Sequence, residues 1–321
     1  MNTPVNTPVP AQPGSYGEAP AGFRLPDRTH LGPVVLQVAD LDRSLRFYEL
    51  VLGFRLVRRA KGSAVLSALV STTPLLELRE RPPARPLARR GRLGLFHFAI
   101  LLPDRPSLGR FVRHLNEIGV PAGAGDHIVS EAFYLNDPDG LGIEVYADRP
   151  RESWQRVGRE LVMGTGSVDV QGLVVGAGPL QWDGLPNGTV IGHLHLHVAD
   201  IARASAFYSD ALGFDRMVWS YPGALFFGAG GYHHHLGTNS WAGVDAPPTA
   251  EDEARLVEWT IELPAREDVD AAAASVARAG LAAERDGETG DLVVRDPWGT
   301  AVRLRAFDDS ASSHARRVCG C

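Results

Sequence analysis

The chain has 321 residues, of which 44% are hydrophobic and 22% are charged, and its net charge is −6 at pH 7. These proportions are typical of a globular protein with room for two domains, and the negative charge argues against nucleic acid as a partner. No apolar run approaches the roughly 18 residues that cross a bilayer. Cys319 and Cys321 lie one residue apart in the C-terminal tail, so a disulfide bond between them could not cross-link a folded core. We therefore expect a cytoplasmic protein.

The two ends of the chain lack the patterns of packed elements. Residues 1–29 are rich in Pro, Gly, Thr and Asn, and they contain neither the charged start nor the apolar core of a secretory signal. We expect residues 1–29 to form a disordered N-terminal arm and residues 308–321 a flexible C-terminal tail.

An internal repeat organises the rest of the chain. The segment "VADLDRSLRFYELVLGF" at 38–54 returns as "VADIARASAFYSDALGF" at 198–214, and "NDPDGLGIEVYA" at 136–147 returns more loosely as "RDPWGTAVRLRA" at 295–306. Self-similarity at this spacing indicates a duplication. The predicted halves and connector are residues 30–150, 190–307 and 151–189, respectively.

Each half divides again into two units of one kind. Alternating strands such as "HLGPVVLQV" precede Asp40 and Asp200, which are suitable helix N-caps. Apolar residues at helical spacing follow Asp40 as far as Gly53, a suitable helix end. Short β-rich runs come next, so the sequence predicts strand–helix–three-strand units in an α+β fold. The four units span residues 30–82, 93–150, 190–242 and 256–307.

This βαβββ pattern resembles the vicinal-oxygen-chelate superfamily, which includes glyoxalase I, extradiol ring-cleaving dioxygenases and antibiotic-sequestering proteins. The motif FYxxxLGF, present at 47–54 and 207–214, marks many of its members. The resemblance covers nearly all of residues 30–307. It implies four modules that pair into two half-barrel clefts, although a fold alone does not settle function.

The resemblance also implies where a cleft metal would be held, namely on the first and last strands of a module. At the first-strand position, modules 1 to 4 carry Pro33, His97, His193 and Glu258. At the last-strand position, module 2 carries Glu144, whereas module 4 carries Arg303, whose charge would repel a cation. Modules 1 and 4 are therefore expected to be scaffold.

His97, His193 and Glu144 form the candidate metal-ligand set. Two imidazoles and one carboxylate with open positions suit non-haem Fe(II), with Mn(II) as the alternative. The prediction requires modules 2 and 3 to share the metal cleft and modules 1 and 4 to pair with each other. Well-known enzymes of this type usually draw their ligands from the last two modules, so this chain departs from them.

The run "GDHIVSEAFYLNDPDGLGIE", residues 125–144, resembles the signature of type I extradiol dioxygenases. The matching positions include a Gly, a His two residues later, a Phe-Tyr pair, D-P-x-G and the Glu. On this resemblance His127 and Tyr134 are candidate catalytic residues beside Glu144. The structural alternatives are a loop residue for His127 and a packed sheet aromatic for Tyr134.

The triplet "HHH" at 233–235 is predicted to lie on the last strand of module 3, facing the metal. Extradiol enzymes carry a His pair there, and alignment on Leu236 assigns the acid–base role to His234. Since strand neighbours point to opposite faces, a register error of one residue would transfer the role to His233 or His235. His195 and His235 are predicted to line the substrate site.

The resemblance implies an extradiol dioxygenase that cleaves a catechol-type ring with O₂, in particular one like the bacterial two-domain catechol 2,3-dioxygenases. Its expected partners are a small aromatic diol and O₂, with no nucleic acid and no membrane, and we expect a homo-oligomer. Three alternatives on the same fold stay open: a glyoxalase-like metal-dependent isomerase or lyase, a hydroquinone dioxygenase, and a non-catalytic aromatic-binding resistance protein.

Overall fold

The computed structural model describes residues 7–87 and 91–307. The first part of the chain contains β1 (Val9–Pro10), β2 (His30–Val38), α1 (Leu41–Leu50), β3 (Arg55–Ala60), β4 (Ser63–Ser67), β5 (Leu76–Glu80), β6 (Gly94–Leu101), α2 (Arg105–Glu117), β7 (Gly123–Asp126), β8 (Ser130–Asn136) and β9 (Gly142–Asp148). The next elements are a 3₁₀ turn (Arg151–Ser153), β10 (Gln155–Val157), β11 (Glu160–Leu161) and α3 (Val170–Gly176).

The second part repeats the pattern of the first. It contains β12 (Val190–His197), α4 (Ile201–Ser205) with a π-helical continuation (Ala206–Ala211), β13 (Asp215–Val218), β14 (Ala224–Gly228), β15 (Leu236–Asn239), β16 (Arg255–Leu263), α5 (Arg266–Arg278), β17 (Ala283–Arg285), β18 (Leu292–Arg295) and β19 (Ala301–Ala306). The predicted strand–helix–three-strand unit is therefore confirmed in all four modules.

The modules pair as the sequence predicts. Modules 2 and 3 form one eight-stranded sheet, in the order β13-β14-β15-β12-β6-β9-β8-β7, and modules 1 and 4 form another, β17-β18-β19-β16-β2-β5-β4-β3. Each sheet is joined at its centre by antiparallel first strands, β12 with β6 and β16 with β2. We call these curved sheets the 2–3 half-barrel and the 1–4 half-barrel.

The repeated "VAD" segments start helices by the same device. The side chain of Asp40 accepts a hydrogen bond of 2.9 Å from the backbone N–H of Arg43, and that of Asp200 accepts one of 2.9 Å from Arg203. A carboxylate at the N-cap satisfies a backbone donor that the first helical turn leaves unpaired. After α1, Gly53 has a positive φ of 77°, a conformation that glycine adopts at low cost.

Two buried tyrosines connect the half-barrels to each other. Tyr48 of α1 donates a hydrogen bond of 3.1 Å to Asp137 in the turn after β8, and Tyr208 donates one of 2.8 Å to Asp296 in the turn after β18. Both tyrosines come from the FYxxxLGF motifs, and both aspartates come from the D-P-x-G turns. Each pair joins a helix of one half-barrel to a turn of the other.

The N-terminal segment differs from the prediction of a disordered arm. Within residues 7–29, β1 pairs with β10, and the side chains of Tyr16 and Leu25 are buried. The hydroxyl of Tyr16 donates a hydrogen bond of 2.7 Å to the carbonyl of Gly231. These few apolar anchors lie among Pro and Gly residues without periodicity, so composition alone did not reveal them. Residues 1–6 and the predicted tail at 308–321 lie outside the described residues.

The predicted connector at 151–189 carries its own short elements, β10, β11 and α3. The longest helices, α2 and α5, have 13 residues each. Across residues 7–87 and 91–307, no helix has both the length and the apolar character needed to cross a membrane.

Candidate active site

Strand register brings four side chains into one row across the 2–3 half-barrel. Tyr134 on β8 pairs with Glu144 on β9, Glu144 pairs with Ala99 on β6, and Ala99 pairs with His193 on β12. Residues that pair directly across strands present their side chains to the same face of the sheet. The small side chain of Ala99 therefore leaves space between Glu144 and His193.

His97 completes the cluster from the same strand as Ala99. It precedes Ala99 by two residues, so it projects to the same face. Oε2 of Glu144 lies 3.0 Å from Nε2 of His97 and 3.2 Å from Nε2 of His193. All three side chains are buried, and one ligand atom from each lies within 4.8 Å of the others. The strands thus bring the three predicted metal ligands together.

This cluster fits a divalent metal ion. The buried Nε2 of His97 makes no hydrogen bond within the described residues, although it lies against Glu144. Burying a polar atom without a partner is costly, and coordination of a cation would satisfy it. Two neutral imidazoles and one carboxylate on one side of an ion are a donor set that leaves further coordination positions open.

The electrostatics of the cluster also suit coordination. Burial opposes ionisation of Glu144, but the contacts with His193 and His97 outweigh it and hold the pKa of this carboxyl well below its usual range. Burial lowers the pKa of His193 to about 4. At neutral pH the pair is therefore an anion beside a neutral imidazole, which are the forms that bind metals.

His127 and Tyr134 form a hydrogen-bonded pair on the module 2 side of the cluster. Nδ1 of His127 lies 2.8 Å from the carbonyl of Gly164, so it carries the hydrogen, and Nε2 accepts at 2.6 Å from the hydroxyl of Tyr134. Burial, together with the neighbouring Glu144, raises the pKa of Tyr134, which keeps the phenol protonated. The structure thus places both predicted catalytic residues beside the metal ligands.

The loop at His127 has an unusual backbone. Ile128 has a φ of 73°, which is a genuine outlier for a β-branched residue. A Cβ at position 125 would lie 3.1 Å from Nε2 of His127, so Gly125 gives the imidazole the space to fold back toward Tyr134. The Gly and His of the signature are therefore linked by a steric requirement, and the local strain is concentrated next to a candidate catalytic side chain.

The histidine triplet lies in the loop before β15, not on the strand as predicted. Because the loop does not alternate, His233 and His234 lie together, with Nδ1 atoms 2.7 Å apart, while the ring of His234 packs 4.1 Å from that of His193. His235 instead packs between Phe214 and Tyr232. Its side chain does not join the metal cluster, contrary to the prediction that it lines the site.

His195 lies in a wall of aromatic rings beside the cluster. Its ring centroid is 5.1 Å from that of His97, and further rings surround it: Phe96, Phe226 and Trp241. Nε2 of His195 is buried and has no hydrogen-bond partner in the described part of the chain. This wall offers flat apolar surfaces and one free polar nitrogen.

Sequence reasoning missed Asp148, whose Oδ1 lies 2.8 Å from Nε2 of His233. A signal was present, because Asp148 follows Glu144 by four residues on β9 and the two side chains therefore project to the same face. The aromatic residues of the wall were missed as well. They come from different strands and loops, and nothing in their local spacing connects them.

Comparisons with known proteins agree with this architecture. A profile of the Glyoxalase/Bleomycin resistance protein/Dioxygenase superfamily matches residues 30–145 and 190–304. A catechol-2,3-dioxygenase of Bacillus subtilis (strain 168) is 49% identical over 273 residues, which cover 84% of this chain and 94% of that protein.

Solved structures show the same fold at low sequence identity. A dioxygenase candidate from Bacillus subtilis has a TM-score of 0.61 at 14% identity, covering 91% of this chain and 88% of its own. Glyoxalase I from Zea mays has a TM-score of 0.51 at 15% identity, covering 86% of this chain and 92% of its own.

The profile extends over all four modules, and the 49% identical relative covers most of the chain. The predicted resemblance and the predicted dioxygenase class of enzyme are thereby confirmed. The chain belongs to the glyoxalase/bleomycin resistance protein/dioxygenase superfamily.

Proposed function

We propose that the protein is an extradiol dioxygenase that cleaves a catechol-type ring with O₂ at a non-haem Fe(II) site. The observation that carries the proposal is the convergence of His97, His193 and Glu144, whose ligand atoms lie within 4.8 Å of one another in the 2–3 half-barrel. The name of the 49% identical relative, a catechol-2,3-dioxygenase, supports the same activity.

The bound metal would supply a Lewis acid that holds the diol oxygens and a redox-active ion beside O₂. Fe(II) is the proposed ion, with Mn(II) as the alternative that the same ligand set accepts. His97, Glu144 and His193 would hold the ion from one face of the sheet, because they lie on three adjacent strands. Substrate and O₂ would both reach the ion from the concave side.

The chain's own residues would handle the protons from two sides. His234, whose ring packs 4.1 Å from that of His193, would accept and return a proton beside the metal site. On the other side, the protonated phenol of Tyr134 would turn its one hydrogen from Nε2 of His127, which accepts it at 2.6 Å, to an anionic oxygen of the bound substrate. His195 and the surrounding aromatic rings would line the bound ring.

A glyoxalase-like isomerase is the less favoured reading of the same fold. It would need a second carboxylate on the last strand of module 3, as Glu144 stands on the last strand of module 2. His195 follows His193 by two residues, as Ala99 follows His97, and the residue that pairs with His195 is Gly237. That position therefore has no acidic side chain to move a proton.

The substrate is proposed only as a class. Catechols and hydroquinones differ in whether the two hydroxyls lie on adjacent carbons, and the ligand set alone does not separate them. The partners proposed are therefore a small aromatic diol and O₂, and the cytoplasmic location and the homo-oligomer stay predictions from the sequence.

The test is oxygen uptake and product absorbance with a panel of substituted catechols and hydroquinones, using protein loaded anaerobically with Fe(II). We expect stoichiometric O₂ uptake and a yellow ring-fission product with at least one catechol. Glu144→Ala should lose bound iron, measured by elemental analysis, and with it the activity. Glu77→Ala is the matched control, because Glu77 pairs with Val35 in module 1 as Glu144 pairs with Ala99 in module 2.

Two results would contradict the proposal. One is iron-loaded wild-type protein that consumes no O₂ with any catechol. The other is Glu144→Ala protein that keeps its iron and its turnover, since the carboxylate would then not be a ligand. Ring cleavage of hydroquinones alone would replace catechols with hydroquinones as the substrate class.

A further inference from the structure

A chain of three polar side chains runs from the metal cluster to the surface. It starts at His234, whose Nδ1 lies 2.7 Å from Nδ1 of His233. It continues from Nε2 of His233 to Oδ1 of Asp148 at 2.8 Å. His233 is fully buried, whereas the side chain of Asp148 is 26% exposed. Of the three, His234 lies closest to a metal ligand, because its ring centroid is 4.1 Å from that of His193 and the ring centroid of His233 is 6.2 Å away.

We propose that Asp148 and His233 are positioning residues that fix the ring and the tautomer of His234, so that its Nε2 presents a lone pair to the substrate site. The inference rests on the proposed function for the role of His234, but the hydrogen-bond chain itself does not depend on any substrate.

The direction of the hydrogens follows from the acceptor at the end of the chain. A carboxylate has no hydrogen to give, so Nε2 of His233 must carry one and donate it to Asp148. In neutral His233 the other nitrogen, Nδ1, is then an acceptor. The short contact to His234 therefore requires a hydrogen on Nδ1 of His234, which leaves Nε2 of His234 as the bare nitrogen.

Aromatic rings and a fastened loop hold His233 in place. Its ring packs 4.1 Å from that of Tyr232 and 5.4 Å from that of Trp154. The loop that carries it is fastened by the hydrogen bond from Tyr16 to Gly231. The side chain of His233 is fully buried, so it is not exposed to a substrate. Its two nitrogens can nevertheless link Asp148 to His234, because one donates a hydrogen bond and the other accepts one.

A carboxylate that orients a histidine in this way is a recurrent device for selecting a tautomer. Here His233 lies between the carboxylate of Asp148 and the ring of His234. The direction of the hydrogen bonds is kept along the chain, because His233 donates with one nitrogen and accepts with the other. The consequence is that Asp148, which is partly exposed and contacts His234 only through His233, decides which nitrogen of His234 carries the lone pair.

Asp148→Asn tests the proposal with almost no change in shape. The amide can donate to Nε2 of His233, which would move the hydrogen of His233 to Nδ1 and that of His234 to Nε2. We expect kcat to fall about 10- to 100-fold while KM and bound iron change less than about twofold. Asp148→Glu should recover part of kcat. Asp286→Asn, in the 1–4 half-barrel and 34% exposed, is the matched control and should keep wild-type kcat.

The tautomer is read directly by two-bond ¹H–¹⁵N correlation spectra of ¹⁵N-histidine protein loaded with diamagnetic Zn(II), with His234 assigned from His234→Gln. We expect a hydrogen on Nδ1 of His234 in the wild type and on Nε2 in Asp148→Asn. The same tautomer in both proteins overturns the inference, and so does loss of iron in place of kcat. Failure of every diol substrate would overturn the proposed function but leave this spectroscopic result intact.

Discussion

The two half-barrels have the same strand plan but opposite chemistry. Their central rows correspond position by position when each is read from the third strand of a module, through its last and first strands, to the first strand of the paired module: Tyr134, Glu144, Ala99 and His193 in the 2–3 half-barrel, and Val65, Glu77, Val35 and Glu258 in the 1–4 half-barrel. Only the carboxylate position is shared. The scaffold therefore repeats, whereas within residues 7–87 and 91–307 a set of side chains that could hold a metal is found in the 2–3 half-barrel only.

The position of Gly237 shows how the second cleft is closed to a metal. Gly237 pairs with His195, and the corresponding partner in the 1–4 half-barrel, opposite Thr260, is Arg303. Arg303 donates hydrogen bonds of 2.7 and 3.2 Å to the two carboxylate oxygens of Glu258. A bidentate pair uses the carboxylate that would otherwise face a cation. In the 2–3 half-barrel the corresponding residue is Gly237, which has no side chain and so leaves space for the ring of His195.

The largest predicted difference is between two histidine variants, His234→Ala in the 2–3 half-barrel and His30→Ala in the 1–4 half-barrel. His234→Ala should retain iron but lower turnover about 100- to 10,000-fold, because it removes the proposed proton acceptor and no metal ligand. The control is His30→Ala in the 1–4 half-barrel, where His30 lies 2.9 Å from Glu262. Turnover and bound iron are measured on the same samples. Similar losses in both variants would remove the distinction between the clefts.

A smaller predicted effect concerns a feature that both half-barrels share, namely a buried aspartate in a D-P-x-G turn. The quantity that should change is the pH dependence of the unfolding free energy. Burial raises the pKa of Asp137 to about 7 from an ordinary value of 3.8. Between these values the folded protein keeps a proton that the unfolded chain has released. The wild type should therefore lose on the order of 2–4 kcal/mol of unfolding free energy, relative to Asp137→Asn, as the pH rises from about 4 to about 7.

Urea denaturation of metal-free protein across this pH range measures the difference. Asp296→Asn should show the same sign, because burial also raises the pKa of Asp296. A difference that is flat or grows with pH would mean that Asp137 is ionised in the fold at no cost. Opposite signs for the two aspartates would show that the turns are not equivalent.

The smallest effect concerns the ion pair of the 1–4 half-barrel. Arg303→Met should lower the free energy of unfolding by about 1–3 kcal/mol, because it leaves the mostly buried carboxylate of Glu258 without its bidentate partner. In the double variant Arg303→Met/Glu258→Met the carboxylate of Glu258 is gone, so part of the loss should return, while Asp286 and Asp291 still lack their contacts of 3.5 and 3.4 Å with Arg303. Iron content and turnover should stay at the wild-type level in both, since this cleft holds no proposed ligand. Thermal and urea unfolding are the readouts.

Much of the fold could be predicted because its signals are local and repeated. The N-caps Asp40 and Asp200, the alternation of the first strands and the two copies of FYxxxLGF all describe segments of a few residues. What the repeat could not reveal is long-range. Tyr48 and Asp137 stand 89 positions apart, and only the folded chain shows that these two motif residues bind each other.

The residues of the candidate site likewise fall into those that the sequence could predict and those that it could not. His97, Glu144 and His193 lie on buried strands, where the alternation of the sheet fixes the side on which each residue projects. The triplet at 233–235 lies in a loop without that periodicity, so the strand rule predicted neither the contact of His233 with His234 nor the packing of His235 between Phe214 and Tyr232. Tyr16 and Leu25 likewise anchor an N-terminal segment whose composition is that of a disordered one.

The crossed pairing of modules has a consequence for the origin of the site. A chain of one half, with two modules, could build these sheets only as a two-fold dimer, in which the first module of each copy joins the second module of the other. Both clefts of such a dimer would be identical. In one continuous chain the two clefts need not be identical, and here one has histidines around Glu144 while the other pairs Arg303 with Glu258.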